Sequence, residues 1–276
     1  MGRAGRILYK MHLIIGNTSQ LAQYFPQDYM KISSRNIDFD FLKNNKWESV
    51  YITFAEQRIY DSNIDYITPN YINTLNIINT IIDNANKIVC YGTCMLWERL
   101  TGTINAKDNP NFYLCTPGSE YTISKFLLLN RINELRKINS KYNKVIFMHP
   151  FYFNSIHRSN YFLFGKVFDS IINKKKIYVN NLDFKRDMVS PQFVVNKSIE
   201  LTKDSMMSSG KLFNVKTFIK DLYELNNLNF DEYIAESDSS PAHSQKLQIV
   251  GDVDWKYTYK NLLEDTQRDI LTVRKV

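Results

Sequence analysis

Apolar residues along this chain follow two alternating rhythms. Short apolar, strand-like runs occur at 13–15, 29–32 ("YMKI"), 50–54 ("VYITF"), 88–91 ("IVCY") and 144–148 ("KVIFM"). Between them lie stretches with a 3.6-residue repeat. "NYINTLNIINTIIDNAN" places Ile72, Leu75, Ile78 and Ile82 on one stripe, and "SEYTISKFLLLNRINELRKI" does the same with Leu128, Ile132 and Leu135. Buried strands alternating with amphipathic helices predict an α/β protein with a doubly wound parallel sheet. After residue 150 the rhythm changes. Aromatic-rich "FYFNSIHRSNYFLF" leads into a helix near 162–173, a short strand "KIYV" follows, and "FKRDMVSPQFVVNKSIEL" turns into another helix. The polar segment near 236–246 reads as a surface loop, and "WKYTYKNLLEDTQRDIL" as a final helix. The expected division is a leader over 1–10, a nucleotide-binding domain over 11–150 that also receives about 187–215, and a smaller lobe from 151–186 and 216–276.

Composition narrows the class. With 276 residues, 44% of them hydrophobic, the chain is long enough for a large core. No apolar run approaches the ~18 residues of a membrane span. Cys90, Cys94 and Cys115 form no C-x-x-C pair, so the expectation is a reducing, cytoplasmic setting without disulfides. Four scattered histidines predict no metal site. The net charge of +7 is dispersed rather than clustered, which favours a small anionic ligand over nucleic acid.

Three stretches carry candidate chemistry. "HLIIGNTSQLA" is a strand reaching Gly16, followed by a helix-like pattern. It has Ser19 and Ala22 where a dinucleotide-binding turn would place two further glycines, and that pattern tolerates alanine at the last position. In "YTISK", Tyr121 and Lys125 share one helical face, and an ammonium beside a phenol favours the phenolate. "YGT" puts Thr93 at a strand's carboxyl end, where open α/β sheets bind ligands. About twenty residues past the turn, Ser33-Ser34-Arg35 stand where a carboxylate would select NAD; two hydroxyls and a guanidinium suit a 2′-phosphate instead.

Taken in order, these stretches resemble the extended short-chain dehydrogenase/reductase family, in its nucleotide-sugar branch. "NYINTLNII", "YGTCMLWE", "HPFYFNS", "FKRDMVSPQFVV" and "GKLFNVKTFIKDLYELN" stand in the places of further family motifs. The resemblance implies that Tyr121 is the general acid, Lys125 holds the nicotinamide ribose and Thr93 orients the substrate carbonyl. It implies NADP(H) contacts from Gly16, Thr18, Ser19, Gln20, Leu21, Ser33, Ser34, Arg35, Asp38, Phe39, Thr53, Phe54, Ala55, Asn73, Tyr91, His149 and Phe151. Substrate contacts would come from Thr93, Cys94, Met95, Tyr152, Asn154 and Arg186, the last pairing with a diphosphate or, alternatively, with Asp187.

The chain departs from the family at Trp97-Glu98, Gln192 and the 149–155 segment. Cys94 and Met95 occupy the positions where dehydratases carry an acid pair. Met95 and Tyr161 occupy those of the cysteine and histidine of epimerase/reductases. What remains suffices for hydride transfer. The expectation is therefore an NADPH-dependent reductase of a nucleotide-linked 4-keto-6-deoxy sugar in surface polysaccharide biosynthesis, with a homodimer left open. A 4-epimerase with bound NAD and a non-catalytic redox sensor or scaffold are the alternatives.

Overall fold

The computed structural model describes residues 11–58, 63–112, 114, 119–237 and 248–274. The expected leader, Cys115 and nearly all of the polar segment near 236–246 lie outside these.

Six parallel strands form the central sheet: β1 (His12–Ile15), β2 (Met30–Ile32), β3 (Ser49–Ile52), β4 (Ile88–Tyr91), β5 (Val145–Pro150) and β6 (Ser205–Met207). Their spatial order is β2-β1-β3-β4-β5-β6. The chain moves outward from β1 to β2 and then crosses back to β3. The direction therefore reverses between β1 and β3, and ligands of open α/β sheets bind outside the carboxyl ends at such a point.

Both sheet faces are covered, which is why the inner strands β1, β3, β4 and β5 read as nearly continuous apolar runs rather than as alternations. Ile14, Tyr51, Val89, Tyr91, Ile146 and Met148 face one core. Leu13, Ile15, Val50, Ile52, Ile88, Cys90, Val145 and Phe147 face the other. The second core is closed by α1 (Phe39–Asn44), α2 (Thr74–Ile81) and α3 (Ser119–Ile138). The first is closed by α4 (Leu163–Asn173), α5 (Pro191–Glu200), α6 (Val215–Leu225) and α7 (Tyr259–Arg274). The stripe of Leu128, Ile132 and Leu135 on α3 is buried as expected.

Two helical expectations are corrected. The segment after Gly16 makes only a single 3-10 turn, Leu21–Tyr24, and leaves it at Phe25 ahead of Pro26. Proline here has no N–H to continue a helix and pushes the preceding residue into extended backbone; Phe25 has ψ 153°. The other correction concerns α2. A π-helical stretch, Thr68–Asn73, runs directly into it. The wider π turn rotates the residues before α2 out of the 3.6-residue register. Ile72 is consequently exposed, and the buried stripe runs through Ile77, Ile78, Ile81 and Ile82.

Candidate active site

At the end of β1 the chain must turn beneath β3. Gly16 adopts φ +109°, and a Cβ there would lie 2.8 Å from the Phe54 nitrogen, so only glycine fits. The Gly16 and Asn17 amides both donate to the Ile32 carbonyl, at 2.9 and 3.1 Å. That places Ser33-Ser34-Arg35 immediately beside the turn. Ser19 takes a glycine's place by bracing the loop. Its hydroxyl donates to Thr53 Oγ1 at 2.7 Å and accepts from the Ala22 amide at 3.2 Å. The hydroxyl is thus engaged within the protein.

One cleft of about 550 Å³ opens over the carboxyl ends of the strands. It is lined by Thr18, Ser19, Gln20 and Leu21 after β1, by Thr53, Phe54 and Ala55 after β3, and by Tyr91, Thr93, Cys94 and Met95 at the end of β4. Tyr121 and Lys125 enter from α3, Phe151, Tyr152 and Asn154 from the segment after β5, and Arg186 from a short strand that pairs with residues 213–214.

Thr93, Tyr121 and Lys125 converge there. Thr93 is held by its position between β4 and a 3-10 turn, where its hydroxyl accepts from the Met95 amide. The Tyr121 hydroxyl faces the Thr93 side chain, which acts to lower the phenol. One helical turn further along α3, the Lys125 ammonium donates to the Tyr91 carbonyl at 2.9 Å and lies 6.0 Å from the centre of the Tyr121 ring.

The electrostatics differ from the sequence expectation. Burial pushes the Tyr121 phenol up to about 12, against which the Thr93 side chain acts. Burial also brings Lys125 down to about 8. Desolvation outweighs the lowering that the spacing of the two residues suggested, and the ammonium donates to a carbonyl instead.

Arg186 is buried in the cleft between two rings, 5.0 Å from the centre of Tyr152 and 4.8 Å from that of Phe184. The carboxylate of Asp187 turns the other way. It accepts from the Ser208 and Ser209 hydroxyls and from the Ser209 and Gly210 amides. Asp187 thereby ties the Arg186 strand to the loop that follows β6.

Several expected positions lie elsewhere. Asn73 is exposed on the π-helical stretch. The buried asparagine is Asn70, three residues earlier: its amide donates to the Glu56 carbonyl and Ser124 hydroxyl, and its oxygen accepts from the Glu56 amide. It joins the segment after β3 to α3, and two asparagines three residues apart in one helical pattern hid which of them was buried. His149 is wholly buried beneath Gly92, where a glycine Cβ would lie 2.3 Å from Nδ1, and packs edge-on to Trp97. Burial lowers its imidazole to about 4. It is a core residue and does not line the cleft. Asp38 caps α1 by accepting from the Phe41 amide, and neither it nor Phe39 lines the cleft.

The cleft also holds residues that the sequence did not single out, including Glu56, His157, Arg158, Phe162 and Phe184. The Glu56 carboxylate is engaged by Arg58, with contacts of 2.9 and 2.7 Å. Burial lowers the His157 imidazole. Cys90 and Cys94 are free thiols, both buried. Among the described residues, no cluster of His, Cys, Asp or Glu could hold a metal, and no helix is long and apolar enough to cross a membrane.

Solved structures of the same architecture include an NADPH complex and nucleotide-sugar epimerases and dehydratases. RMD from Pseudomonas aeruginosa, complexed with NADPH, superposes with a TM-score of 0.73 at 13% identity, covering 95% of this chain and 100% of that one. The UDP-Glc/GlcNAc 4-epimerase of Campylobacter jejuni gives 0.73 at 13%, covering 97% and 100%. The dTDP-glucose 4,6-dehydratase of Bacillus anthracis, in complex with NAD, gives 0.74 at 11%, covering 96% and 98%. This chain shares the Rossmann-like α/β fold of these structures. No protein-family profile matches the sequence, and no curated protein does. At such low identity the likeness lies in the fold, which spans nearly the whole chain. In that fold, the sheet is one strand shorter at its β2 edge than the 3-2-1-4-5-6 order of a full dinucleotide-binding sheet.

The cleft suits a dinucleotide. Gly16 leaves room where a side chain would fill the turn, and Gln20 Oε1 is a buried acceptor at the cleft wall without a partner among the described residues. Thr18, Ser19 and Gln20 would flank a pyrophosphate, and Lys125 with Tyr91 a nicotinamide ribose.

Proposed function

We propose that this protein is an NADPH-dependent reductase of a nucleotide-linked 4-keto-6-deoxy sugar. One observation carries the reading: Thr93, Tyr121 and Lys125 meet in a cleft that joins the glycine turn to Arg186. Neighbours of the same fold that carry NADPH or NAD, or are epimerases or dehydratases of nucleotide sugars, support it.

A bound reduced nicotinamide supplies a hydride. The chain's own residues do the rest. Thr93 steadies the ketone oxygen, and Tyr121, a neutral phenol at physiological pH, is in the right state to donate a proton to it as the alkoxide forms. Lys125, buried and close to its titration midpoint near neutrality, is placed to meet a ribose hydroxyl. Arg186 offers a planar donor fork for the substrate's diphosphate, with Tyr152 and Phe184 holding the guanidinium flat. Cys94 and Met95 beside Thr93 bring no carboxyl group, which supports reduction over dehydration. NADPH is favoured over NADH because Ser33-Ser34-Arg35 follow directly on Ile32, whose carbonyl fixes the turn.

The test is NADPH oxidation followed by absorbance against a panel of nucleotide 4-keto-6-deoxy sugars. Turnover with at least one member is expected. No turnover with any of them, alongside conversion between 4-hydroxyl epimers without added NADPH, would replace the reading by an epimerase.

A further inference from the structure

A dinucleotide-binding turn ordinarily opens a helix whose N-terminus meets the pyrophosphate. Here a single 3-10 turn, Leu21–Tyr24, stands in that helix's place, and four residues bring little dipole. Side chains hold the turn instead. The Gln23 side-chain nitrogen donates to the Asn17 carbonyl at 2.7 Å, and that of Gln192, on α5, donates to the Tyr24 carbonyl at 3.4 Å. Tyr24 reaches furthest. Its hydroxyl donates to Asp269 Oδ2 on α7 at 2.7 Å. With its one proton given there, it accepts from the Ser155 hydroxyl at 3.3 Å. Ser155 is wholly buried in the segment after β5, and its Oγ accepts from the His157 amide at 3.1 Å. The His157 ring stands edge-on to Tyr24 at 5.9 Å. Burial raises the Asp269 carboxyl to about 6, so near neutral pH it is a charged acceptor. Residues 18–21 line the cleft before Tyr24, and Asn154 and His157 line it around Ser155; Tyr24, Ser155 and Asp269 themselves lie behind its wall.

We propose that Tyr24 is a positioning residue that joins the dinucleotide half of the cleft to its substrate half, its hydroxyl holding the glycine turn, the segment after β5 and α7 in one frame. The inference rests on the dinucleotide reading of the cleft. The two partners of the hydroxyl lie 131 and 245 residues away along the chain, so neither bond serves the turn's own local structure. The turn bears on the pyrophosphate and through it on the hydride donor. The segment around Ser155 bears on the sugar that carries the acceptor carbon. Hydride transfer needs donor and acceptor held at near-contact distance, and Tyr24 ties together the two parts of the chain that set it. A dinucleotide that orders the turn should therefore also order α7 around Asp269, a place the dinucleotide itself does not touch.

Amide hydrogen exchange of the full chain, with and without saturating NADPH, reads the link. In the native chain NADPH is expected to slow exchange at 267–272 by about threefold or more. Tyr24→Phe removes only the hydroxyl. It should bind NADPH about tenfold more weakly, the worth of one charge-assisted bond, and at saturation the NADPH-induced protection of 267–272 should be gone. Asp269→Asn retains an acceptor and should fall between the two. A purely structural role would speed exchange there equally with and without NADPH and leave the protection ratio unchanged. The same ratio in the native chain and Tyr24→Phe would overturn the proposal, and so would a native chain that binds NADPH without protecting 267–272. A native chain that does not bind NADPH would instead remove the dinucleotide reading, and the inference with it. The reductase reading fails on a different observation, Tyr121→Phe turning over ketosugar as fast as the native chain.

Discussion

The ammonium of Lys125 and the carbonyl of Tyr91 are joined by a buried hydrogen bond of 2.9 Å. The bond fixes α3, which carries Tyr121, to the end of β4, which carries Thr93. A side chain expected to tune its neighbour's proton therefore also sets the spacing between the strand and the helix that bear the other two groups.

Burial places Lys125 at about 8, below its ordinary 10.5. Between those values the unfolded chain binds the proton more readily than the fold does, so this lysine makes stability rise with pH across that window and costs most below it. Methionine carries no such proton. Lys125→Met should therefore compare best with the native chain near pH 7 and lose ground as pH rises towards 10. Urea unfolding at both ends of the window measures the difference; parallel pH dependences in the two chains would contradict it.

The buried asparagine gives a second prediction. Asn70→Ala would leave the Glu56 amide and carbonyl without the partner that holds both of them, costing about 1–3 kcal/mol. Asn73→Ala, on the exposed face, should stay within about 0.5 kcal/mol. Chemical denaturation of the pair checks it, and equal losses would refute the distinction.

The turn at Gly16 has no room for a methyl group. Gly16→Ala should cost about 1–3 kcal/mol through the contact with the Phe54 backbone and should weaken dinucleotide binding. Ser19→Ala should cost about 1 kcal/mol, because the Thr53 hydrogen bond is lost, while leaving NADPH affinity within about twofold, since a shift of 0.4 kcal/mol already makes a factor of ~2. Fluorescence titration with NADPH separates the two. A large affinity loss in Ser19→Ala would mean that the hydroxyl serves phosphate and not the loop.

Much of this architecture can be read from the chain because strands buried on both faces must be continuously apolar. The five strands expected before residue 150 formed within two residues of their apolar runs, β4 with the very bounds the pattern gave. Thr93, Tyr121 and Lys125 were legible as well, since a strand end and a four-residue helical spacing each fix a side chain's direction. What the sequence hid was of another kind. A π turn changes helical phase without changing composition, so Ile72 reads as part of the buried stripe and Asn73, instead of Asn70, as the residue that faces inward to the cofactor. Pro26 was visible, but its power to cut the helix after Gly16 to one turn depended on the backbone around it. His149 stood among the implied cofactor contacts, and only the sheet shows it directed into the core beneath Gly92. The Tyr121 phenol could not be judged from spacing, because desolvation depends on what surrounds both groups.

Cofactor choice follows from Ser33-Ser34-Arg35. Arg35→Asp would set a carboxylate beside a 2′-phosphate and should move the preference from NADPH towards NADH by tenfold or more, a change of about 1.4 kcal/mol. Affinities for both dinucleotides measure it, and an unchanged NADPH affinity would show that the segment does not meet the phosphate.

The most direct measurement follows one hydrogen. With NADPH deuterated at the transferable position of its nicotinamide and a nucleotide 4-keto-6-deoxy sugar that is turned over, the account predicts one deuterium at C4 of the product for each NADPH consumed, and none with Tyr121→Phe. Product formed without deuterium at C4, or full transfer by the Tyr121→Phe protein, would contradict it.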